Sequence, residues 1–371
     1  MNRINRIKTA ELFLVRLPLV RPFETSFSIQ KVREALLVKL TSDNSYGWGE
    51  CVTGVHPFYS YETNRTACHI ISDYLIPLVF SLRNFFIEDA LNEFSHIQGH
   101  FMAKAAVENA LFDLLSREQN LPLYTLIGGT YKKIRSGISL GIEQNTDELL
   151  RLTEEAVKKK YHRIKIKVKK GRDIRVLKIL RKHFPELPLM ADANGDYQET
   201  DLQLLKQFDE FNLMMLEQPL GNNDLYFHSL IQKELKTPIC LDESIQSLND
   251  LRTALALESC RIINIKQARV GGIKAAKIMQ SYCLQHNIKV WSGGMLETGI
   301  GRNFNLHLQT LPGFTLPGDT SETSRYFHED IVDTPIVLQS DGFIEIPPGP
   351  GIGAEVIPKR LNKYKIMYKK F

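Results

Sequence analysis

Five charged residues recur at an almost constant interval in the middle of this 371-residue chain. Lys167, Asp192, Glu217, Asp242 and Lys266 follow one another at intervals of 25, 25, 25 and 24 residues, each near the end of an apolar, strand-like run. One strand, one helix and two loops take about that length in a parallel β/α barrel of ~250 residues. Because such a barrel brings the ends of its strands to one mouth, the interval predicts that these five side chains converge there.

The surrounding sequence supports a barrel. From about residue 135, eight short runs have the character of strands: SGISLGI, RIKIKV, PLMADA, LMMLEQ, PICLDE, RIINIK, KVWSGG and TLPGD. The segments between them have helical spacing: TDELLRLTEEAVKKKY, IRVLKILRKHF, TDLQLLKQF, LNDLRTALAL and GIKAAKIMQSYCLQ. Alternating elements predict a parallel sheet, and eight strands predict closure into a (β/α) barrel, a modified TIM barrel, over residues 128–324. No G-x-G-x-x-G opens a helix after an early strand, which disfavours a dinucleotide-binding sheet.

The first part of the chain has a different pattern. ELFLVRLPL and REALLVKLTSD alternate apolar and polar residues, which predicts two strands, with a turn at SDNSYG. Residues from about 60 to 127 have helical spacing, most clearly in AKAAVENALFDLLSREQ. We therefore expect an α+β domain over residues 1–127, here called the N-terminal domain, which the C-terminal segment 325–371 completes by packing back on it.

The three acids of the recurring set are hard oxygen donors. Mg²⁺ prefers such ligands and keeps positions free for water or substrate oxygens, so Asp192, Glu217 and Asp242 predict a magnesium site open to a substrate carboxylate. No His or Cys accompanies them, which disfavours Zn²⁺. The alternative is that each acid is a solvated loop residue or helix cap. That reading suits one acid, but it does not suit three in phase at strand ends.

The lysines add a base on either side of the acids. Lys165 and Lys167 lie two residues apart in RIKIKV, so both point to the same face of the strand while the intervening apolar residues point to the helices. Lysines directed into a barrel are costly unless they pair with acids. Lys167 is a candidate base for a proton next to a carboxylate, and Lys266 is its counterpart across the site. Solvent-facing lysines at strand ends are the alternative.

Weaker signals surround this set. Asn194 is a candidate for orienting the metal ligands or a water, and Glu243 either does the same or ties down Lys266. Gly293 and Gly294, after Trp291 and Ser292, would let backbone approach a ligand closely, although a plain turn also explains them. The remaining candidates for contacts to the substrate or to the metal ligands are Ser139, Arg269, Met295 and Asp319.

Composition limits the remaining possibilities. The net charge of +5 is spread along the chain without a nucleic-acid-binding module, so we expect a small anionic substrate and no nucleic-acid partner. Five cysteines without a C-x-x-C pair favour a reducing compartment. Glu11 and Arg16 break the apolar N-terminal run, which fits neither a signal peptide nor a membrane span. We therefore expect a cytoplasmic protein with no membrane partner.

At these residues the chain resembles the enolase superfamily, and closely its branch of o-succinylbenzoate synthases and N-succinylamino acid racemases. The stretches that carry the resemblance are RIKIKVKKG, LMADANGDY, MLEQPL, ICLDESI, INIKQARVGG and GGMLETGIGR, together with RLPLVRPFETSF, HPFYSYET and AKAAVENALFDLL in the N-terminal domain. They extend over nearly the whole chain. The resemblance implies Mg²⁺ as cofactor, which Mn²⁺ can replace, held by the three acids already named. It also implies that Lys167 is the base, Lys165 its charge-tuning partner and Lys266 the lysine across the site.

The resemblance further implies two loops of the N-terminal domain that close over the substrate. They contain Phe23, Thr25 and Ser26, and Pro57, Tyr59 and Glu62. Two positions depart from the family pattern: Lys170 replaces the usual proline after the lysine pair, and Gly195 stands where relatives often have serine. Neither departure touches the inferred chemistry, but both could alter local rigidity or substrate preference.

Several functions remain open at this level. The first is dehydration of 2-succinyl-6-hydroxy-2,4-cyclohexadiene-1-carboxylate to 2-succinylbenzoate for menaquinone synthesis. The second is racemisation of N-succinylamino or other N-acylamino acids, as the main or a side activity, which the resemblance of Arg269 to racemising members supports. Cycloisomerisation, and a non-catalytic scaffold, are further alternatives. A Schiff-base role for either lysine would leave the three acids unexplained. We expect a small carboxylate as substrate and a homo-oligomer as the assembled form.

Overall fold

The structure, a computed structural model, describes residues 3–371. Met1 and Asn2, the start of the expected N-terminal domain, lie outside the described residues. In chain order the strands are β1 (Thr9–Glu24), β2 (Ile29–Thr41), β3 (Tyr46–Cys51), β4 (Lys133–Arg135), β5 (Gly137–Leu140), β6 (Arg163–Lys167), β7 (Leu189–Asp192), β8 (Leu216–Glu217), β9 (Ile239–Leu241), β10 (Ile262–Asn264), β11 (Lys289–Trp291), β12 (Phe343–Glu345) and β13 (Lys365–Lys370).

The α-helices are α1 (Asn64–Ile70), α2 (Ile76–Ser81), α3 (Ile87–Ser95), α4 (Phe101–Glu118), α5 (Leu123–Ile127), α6 (Thr146–Lys158), α7 (Asp173–His183), α8 (Leu202–Leu205), α9 (Leu225–Glu234), α10 (Leu248–Ala256), α11 (Ile273–Gln285), α12 (Gly299–Leu308) and α13 (Pro358–Tyr364). A π-helical turn, Ile71–Leu75, joins α1 to α2. Within residues 3–371, no helix combines the length and the apolar character needed to cross a membrane.

The N-terminal domain is built on an antiparallel sheet in the order β13-β1-β2-β3. The C-terminal strand β13 pairs with β1, so the end of the chain returns to its beginning. Helix α4 packs closely on β3, where a Cβ added at Gly47 or Gly49 would lie about 2 Å from a backbone oxygen of α4. Glycine is therefore required at both positions for this helix and strand to approach so closely.

The middle of the chain forms a parallel sheet of seven strands in the sequential order β5 to β11. Its inward-facing side chains alternate with apolar residues that pack under the surrounding helices, as Ile164 and Ile166 do on β6. In the register of the sheet, Lys167 lies beside Asp192, and Asp192 lies beside Glu217. The strand ends are thus aligned at one mouth of the barrel, as the recurring interval predicts.

The prediction that TLPGD forms a regular eighth strand is wrong. Single bridges, Val290 to Phe314 and Ser136 to Gly318, connect this segment to β11 and to the residue before β5, so it closes the barrel without forming a ladder. Pro317 has no N–H to donate, which limits regular pairing here.

The helix predictions also need correction in places. The segment TDLQLLKQF forms only the single turn α8, between 3₁₀ turns at Glu199–Asp201 and Lys206–Phe211. Three helices were missed: α9 and α12 in the barrel, and α13 near the C-terminus. Two glycines conceal α12, because glycine disfavours helices. The turn predicted at SDNSYG is shorter than expected, since Tyr46 and Gly47 already belong to β3.

Candidate active site

The five recurring residues come together at the mouth of the barrel. Lys167, Asp192 and Glu217 are the last residues of β6, β7 and β8, Asp242 directly follows β9, and Lys266 lies two residues beyond β10. The three acids are at most 1% exposed, and the side chains of both lysines are 8% exposed. Charged groups are buried to this degree only when they are paired, so their contacts with one another decide the electrostatics of the site.

On the β6 side, two lysines hold the first two acids. Lys167 Nζ lies 2.5 Å from Asp192 Oδ2 and 2.6 Å from Asn194 Oδ1. Lys165 Nζ lies 3.0 Å from Glu217 Oε2 and 3.3 Å from Asp192 Oδ2. Burial alone would lower the pKa of Lys165, but the surrounding carboxylates outweigh burial and raise the pKa above its usual range. Lys165 is therefore a permanent cation beside Lys167.

On the opposite side, Lys266 holds the third acid. Its Nζ lies 2.7 Å from Asp242 Oδ2 and 3.1 Å from Tyr59 Oη, and the sulfur of Met295 is 3.5 Å away. Burial opposes the charge of Lys266, yet Tyr59 and nearby carboxylates outweigh burial and raise its pKa. Arg269 also donates to Asp242, and its Nη2 donates to the carbonyl of Asn264 at 2.7 Å.

Asn194 and Glu243 form a bridge between the two sides. Asn194 has a left-handed backbone, with φ of 47°, which aims its side chain into the site. Its oxygen accepts from Lys167, and its nitrogen donates to Glu243 Oε1 at 2.8 Å. Glu243 does not tie down Lys266 by a hydrogen bond, since Lys266 donates to Asp242 instead. The other oxygen of Glu243 is buried and has no hydrogen-bond partner within residues 3–371.

Below the acids lies an ionic layer that the sequence analysis identified only in part. Asp319 lies 2.7 Å from Lys165 Nζ, accepts from Ser139 Oγ at 3.0 Å, and pairs with Arg163. Arg163 is fully buried and stacks on Trp291, with 4.6 Å between guanidinium and ring. Arg163 was missed, although its position two residues before Lys165 on the same strand predicts the same inward face.

Asn264 was also missed, although its position two residues before Lys266 predicts the same inward face. Its Nδ2 donates to Glu217 Oε1 at 2.8 Å, and its Oδ1 accepts from the backbone N–H of Gly293 at 2.7 Å. A Cβ added at Gly293 would lie within 2.6 Å of Asn264 and Lys266, so only glycine fits there. Gly294 instead lines a small cavity at the mouth of the barrel. The carbonyl of Ser292 accepts from the backbone N–H of Asp319.

Two cavities lie at this mouth. A small one of about 60 Å³ is lined by Lys165, Lys167, Lys266, Asp319 and Phe23, among others. A larger one of about 510 Å³ lies under the loops of the N-terminal domain and reaches Tyr59 and Met295, which both contact Lys266.

The other expected loop residues have mixed surroundings. Thr25 closes a local turn with Ser28, and Glu62 accepts from the first backbone N–H groups of α4 at 2.8 and 3.1 Å. Glu62 is therefore a helix cap in this structure, and it also lines the larger of the two cavities. Within residues 3–371, neither Ser26 nor Pro57 contacts the cluster through a side-chain hydrogen bond.

The donor set fits a hard divalent cation by its chemistry, because Asp192, Glu217 and Asp242 offer carboxylate oxygens at adjacent strand ends and the spare oxygen of Glu243 lies close by. In the described part of the chain, however, no three Asp, Glu, His or Cys side chains are already arranged to hold one ion. The lysines and Arg269 instead occupy the acids' oxygens. The structure therefore brings the predicted ligands to one mouth, but their carboxylates face lysine and arginine side chains rather than one shared ion position.

Comparison with known proteins agrees with this architecture. The family of mandelate racemase / muconate lactonizing enzyme N-terminal domains matches residues 8–128, and the enolase C-terminal domain-like family matches residues 148–360. An o-succinylbenzoate synthase of Geobacillus kaustophilus is 44% identical over 358 residues, which cover 96% of this chain and 95% of that protein. An N-succinylamino acid racemase of Thermus thermophilus is 42% identical over 352 residues, or 95% of each chain.

A solved structure gives the same result for the fold. The crystal structure of an enolase-superfamily member from Listeria innocua matches with a TM-score of 0.95 and 40% identity over 99% of both chains. The two family matches, the near-complete similarity and the common fold confirm the resemblance inferred from the strand-end motifs. The chain belongs to the enolase superfamily, in the group of mandelate racemase and muconate lactonizing enzyme.

Proposed function

We propose that this protein catalyses the o-succinylbenzoate synthase reaction. In that reaction 2-succinyl-6-hydroxy-2,4-cyclohexadiene-1-carboxylate loses water to give 2-succinylbenzoate, a step of menaquinone biosynthesis. The observation that carries the proposal is the pair of buried lysines, Lys167 and Lys266, each against a carboxylate and separated by three strands of the same barrel, β7 to β9. The synthase relative at 44% identity supports this choice among the reactions of the superfamily.

We assign Mg²⁺ to Asp192, Glu217 and Asp242, with Mn²⁺ able to substitute. The donor chemistry and the unpartnered oxygen of Glu243 support the assignment. When bound, the ion would supply a Lewis acid that withdraws electron density from the substrate carboxylate and so acidifies the neighbouring C–H. Lys165, Lys167, Lys266 and Arg269 would then exchange some of their present contacts with the acids for contacts with the substrate.

Lys167 is the residue that we assign to proton removal. Its amine is aimed by Asn194 and Asp192. Lys165 beside it is held by three carboxylates, those of Asp192, Glu217 and Asp319, whereas Lys167 pairs with Asp192 alone among the described residues, so Lys167 is the amine of the pair that is freer to take a proton. The lysine takes the proton from the carbon next to the carboxylate and then gives it to the departing hydroxyl on the adjacent carbon. One residue thus serves as base and as acid, and water leaves.

Lys266 has the complementary role across the site. Its raised pKa keeps it cationic, so it balances the negative charge that develops on the substrate as the proton leaves. The larger cavity, with Tyr59 and Met295 at its inner end, offers room for the succinyl arm of a small carboxylate substrate.

The test is an absorbance assay with purified protein, the cyclohexadiene substrate and Mg²⁺, with an EDTA-treated sample alongside. Rapid loss of the diene absorbance that requires the metal supports the proposal. A protein that binds Mg²⁺ but leaves the substrate unchanged refutes the synthase assignment.

A second candidate is racemisation of N-succinylamino acids. The observation that favours it is that Lys167 and Lys266 lie on opposite sides of the mouth, where each could exchange a proton with one face of the same carbon. A racemase relative is also 42% identical. Here both lysines must act as acid and base, so incubation in D₂O would place deuterium at the α-carbon of both enantiomers. Loss of a single lysine would then stop racemisation, whereas the synthase reaction requires only Lys167 for proton transfer.

We also infer a cytoplasmic location and a homo-oligomeric state. The first inference is supported by the cysteines at positions 51, 68, 240, 260 and 283, which are all free thiols. The second is a prediction from resemblance, and light scattering after size-exclusion chromatography measures it directly.

A further inference from the structure

Two helices of the barrel have N-termini whose backbone N–H groups are bound by carboxylates from the N-terminal domain. A helix start leaves several N–H groups without partners, and a side chain close in the sequence usually accepts from them. Here the acceptors are Glu108, on α4, and Glu50, on β3, which reach α11 and α12 across 166 and about 250 residues of sequence. Both acids are at most 1% exposed.

The contact of Glu108 with α11 is built into both partners. Glu108 Oε1 accepts from the backbone N–H of Lys274 at 2.8 Å, and the residue at the helix N-cap, Gly272, has no side chain to do so. A Cβ added at Gly272 would lie 1.6 Å from Glu108 Oε2, and Gly272 has φ of 126°. Position 272 therefore accepts only glycine while the carboxylate of Glu108 is in place.

The contact of Glu50 with α12 has the same character. Glu50 Oε2 accepts from Thr298 Oγ1 at 2.6 Å and from the backbone N–H of Gly301 at 3.0 Å. The N–H of Thr298 donates to the same carboxylate at 3.1 Å. A Cβ added at Gly301 would lie 2.8 Å from Glu297 Cβ and Cγ and 3.0 Å from Glu50 Oε2. Glycine at position 301, costly within a helix, is thus explained by the approach of Glu297 and Glu50 together.

Both helices directly follow the loops that carry the site. Residues 265–272, between β10 and α11, include Lys266 and Arg269, and residues 292–298, between β11 and α12, include Met295. A neighbouring contact strengthens the first connection, since Asn109 of α4 donates to Gln267 at 3.1 Å. Tyr59 of the N-terminal domain lies 3.1 Å from Lys266, so this contact depends on the position of the loop 265–272 relative to that domain.

We propose that Glu108 and Glu50 are positioning residues that fix these two loops, and with them Lys266, against the N-terminal domain. The proposal rests on the function assigned to Lys266 above. It makes the N-terminal domain a frame for the catalytic loops in addition to a cover over the substrate. In this arrangement the two acids act separately, Glu108 on residues 265–274 and Glu50 on residues 292–301.

The carboxyl groups do not need their charge for this role. Burial raises the pKa of Glu108 to about 8 and that of Glu50 to about 7, against the opposing effects of Lys274 and Arg33. A neutral carboxyl still accepts through its carbonyl oxygen, as an amide does. Glu108→Gln therefore keeps the acceptor for Lys274, whereas Glu108→Ala removes it and Glu108→Asp withdraws it by one methylene.

The test is hydrogen–deuterium exchange of the full-length protein, followed by mass spectrometry of its peptides, combined with turnover at saturating substrate and Mg²⁺. In Glu108→Ala we expect exchange in residues 265–274 to rise about tenfold, with residues 292–301 and the distant helix α6 unchanged. In Glu50→Ala we expect exchange to rise in residues 292–301, with residues 265–274 and α6 unchanged. Turnover should fall about tenfold in Glu108→Ala with the substrate KM little changed, and Glu108→Gln should restore both exchange and turnover.

Three results would overturn the proposal: unchanged exchange in both loops of a folded Glu108→Ala protein, an equal rise throughout the chain, or a glutamine variant as impaired as the alanine variant. If Glu108→Ala does not fold, Glu108→Asp takes its place with the same expected exchange pattern. The exchange measurement needs no turnover, so a wild-type protein without synthase activity would refute the proposed function and still decide the role of Glu108.

Discussion

Replacing Asp319 by alanine would remove the shared counter-charge of two buried cations. Arg163 and Lys165 both pair with this carboxylate, and Ser139 donates to it at 3.0 Å. Burial alone would raise the pKa of Asp319, but the two cations outweigh burial and hold the pKa below its usual range. The side chain is 7% exposed, so water cannot replace the lost charge at either cation.

The cost follows from the partners that remain. Lys165 keeps Asp192 and Glu217, whereas Arg163 keeps no carboxylate among residues 3–371: its remaining partners there are the carbonyl of Gly318, the sulfur of Met190 and the ring of Trp291. Breaking a buried ion pair by removing one partner costs about 3–5 kcal/mol, and we expect Asp319→Ala to fall in this range. Asp319→Asn, which keeps an acceptor oxygen, should cost about 2 kcal/mol, and Ser139→Ala, which removes one neutral donor, about 1 kcal/mol.

Urea unfolding followed by circular dichroism at pH 7 measures these differences in the free energy of unfolding. The Ser139→Ala variant is the matched control, because it removes a contact to the same carboxylate without unpairing a charge. An Asp319→Ala protein within about 1 kcal/mol of the wild type would refute the reasoning, since the buried guanidinium would then need no counter-charge. We also expect the loss of stability to decrease in the order Asp319→Ala, Asp319→Asn, Ser139→Ala.

Four further predictions concern the chemistry and the pH dependence of stability. Lys167→Ala should lower dehydration turnover about 10²- to 10⁴-fold, and a folded variant with appreciable residual turnover would contradict its assignment as the base. Lys266→Ala should lower turnover less in the synthase assay than in a racemase assay, which a comparison of the two substrates measures. Glu217→Gln should weaken Mg²⁺ binding in isothermal titration calorimetry about 10-fold or more, and unchanged affinity would exclude Glu217 as a ligand. Because the folded-state pKa of Glu108 is raised to about 8, its contribution to stability is complete below its unfolded pKa of about 4.3 and is lost as the pH rises to 8. The melting temperature of Glu108→Gln should therefore fall less between pH 5 and 8 than that of the wild type, and parallel curves would contradict this.

Local patterns were sufficient where the relevant geometry is itself local. The alternation of side chains along a strand directs Lys165 and Lys167 to one face, and the interval between strands directs the acids to one mouth. The same rule, applied two residues earlier on each strand, would also have found Arg163 and Asn264. The helix α12 was missed for the opposite reason, because Gly299 and Gly301 have poor helix propensity and are favoured there by contacts from other parts of the chain.

By itself, the sequence determined the barrel, the strand-end set of acids and lysines, and the family to which the chain belongs. The barrel and the set of acids and lysines follow from periodicity and spacing, and the family resemblance follows from the motifs at the strand ends; all of these are visible along the chain without knowledge of tertiary contacts. Only the tertiary structure decided which cation each acid meets, how the eighth segment closes the barrel, and that Glu108 and Glu50 cap helices of the other domain. Those contacts join residues as many as 251 positions apart, and their energies depend on burial, which no local pattern encodes.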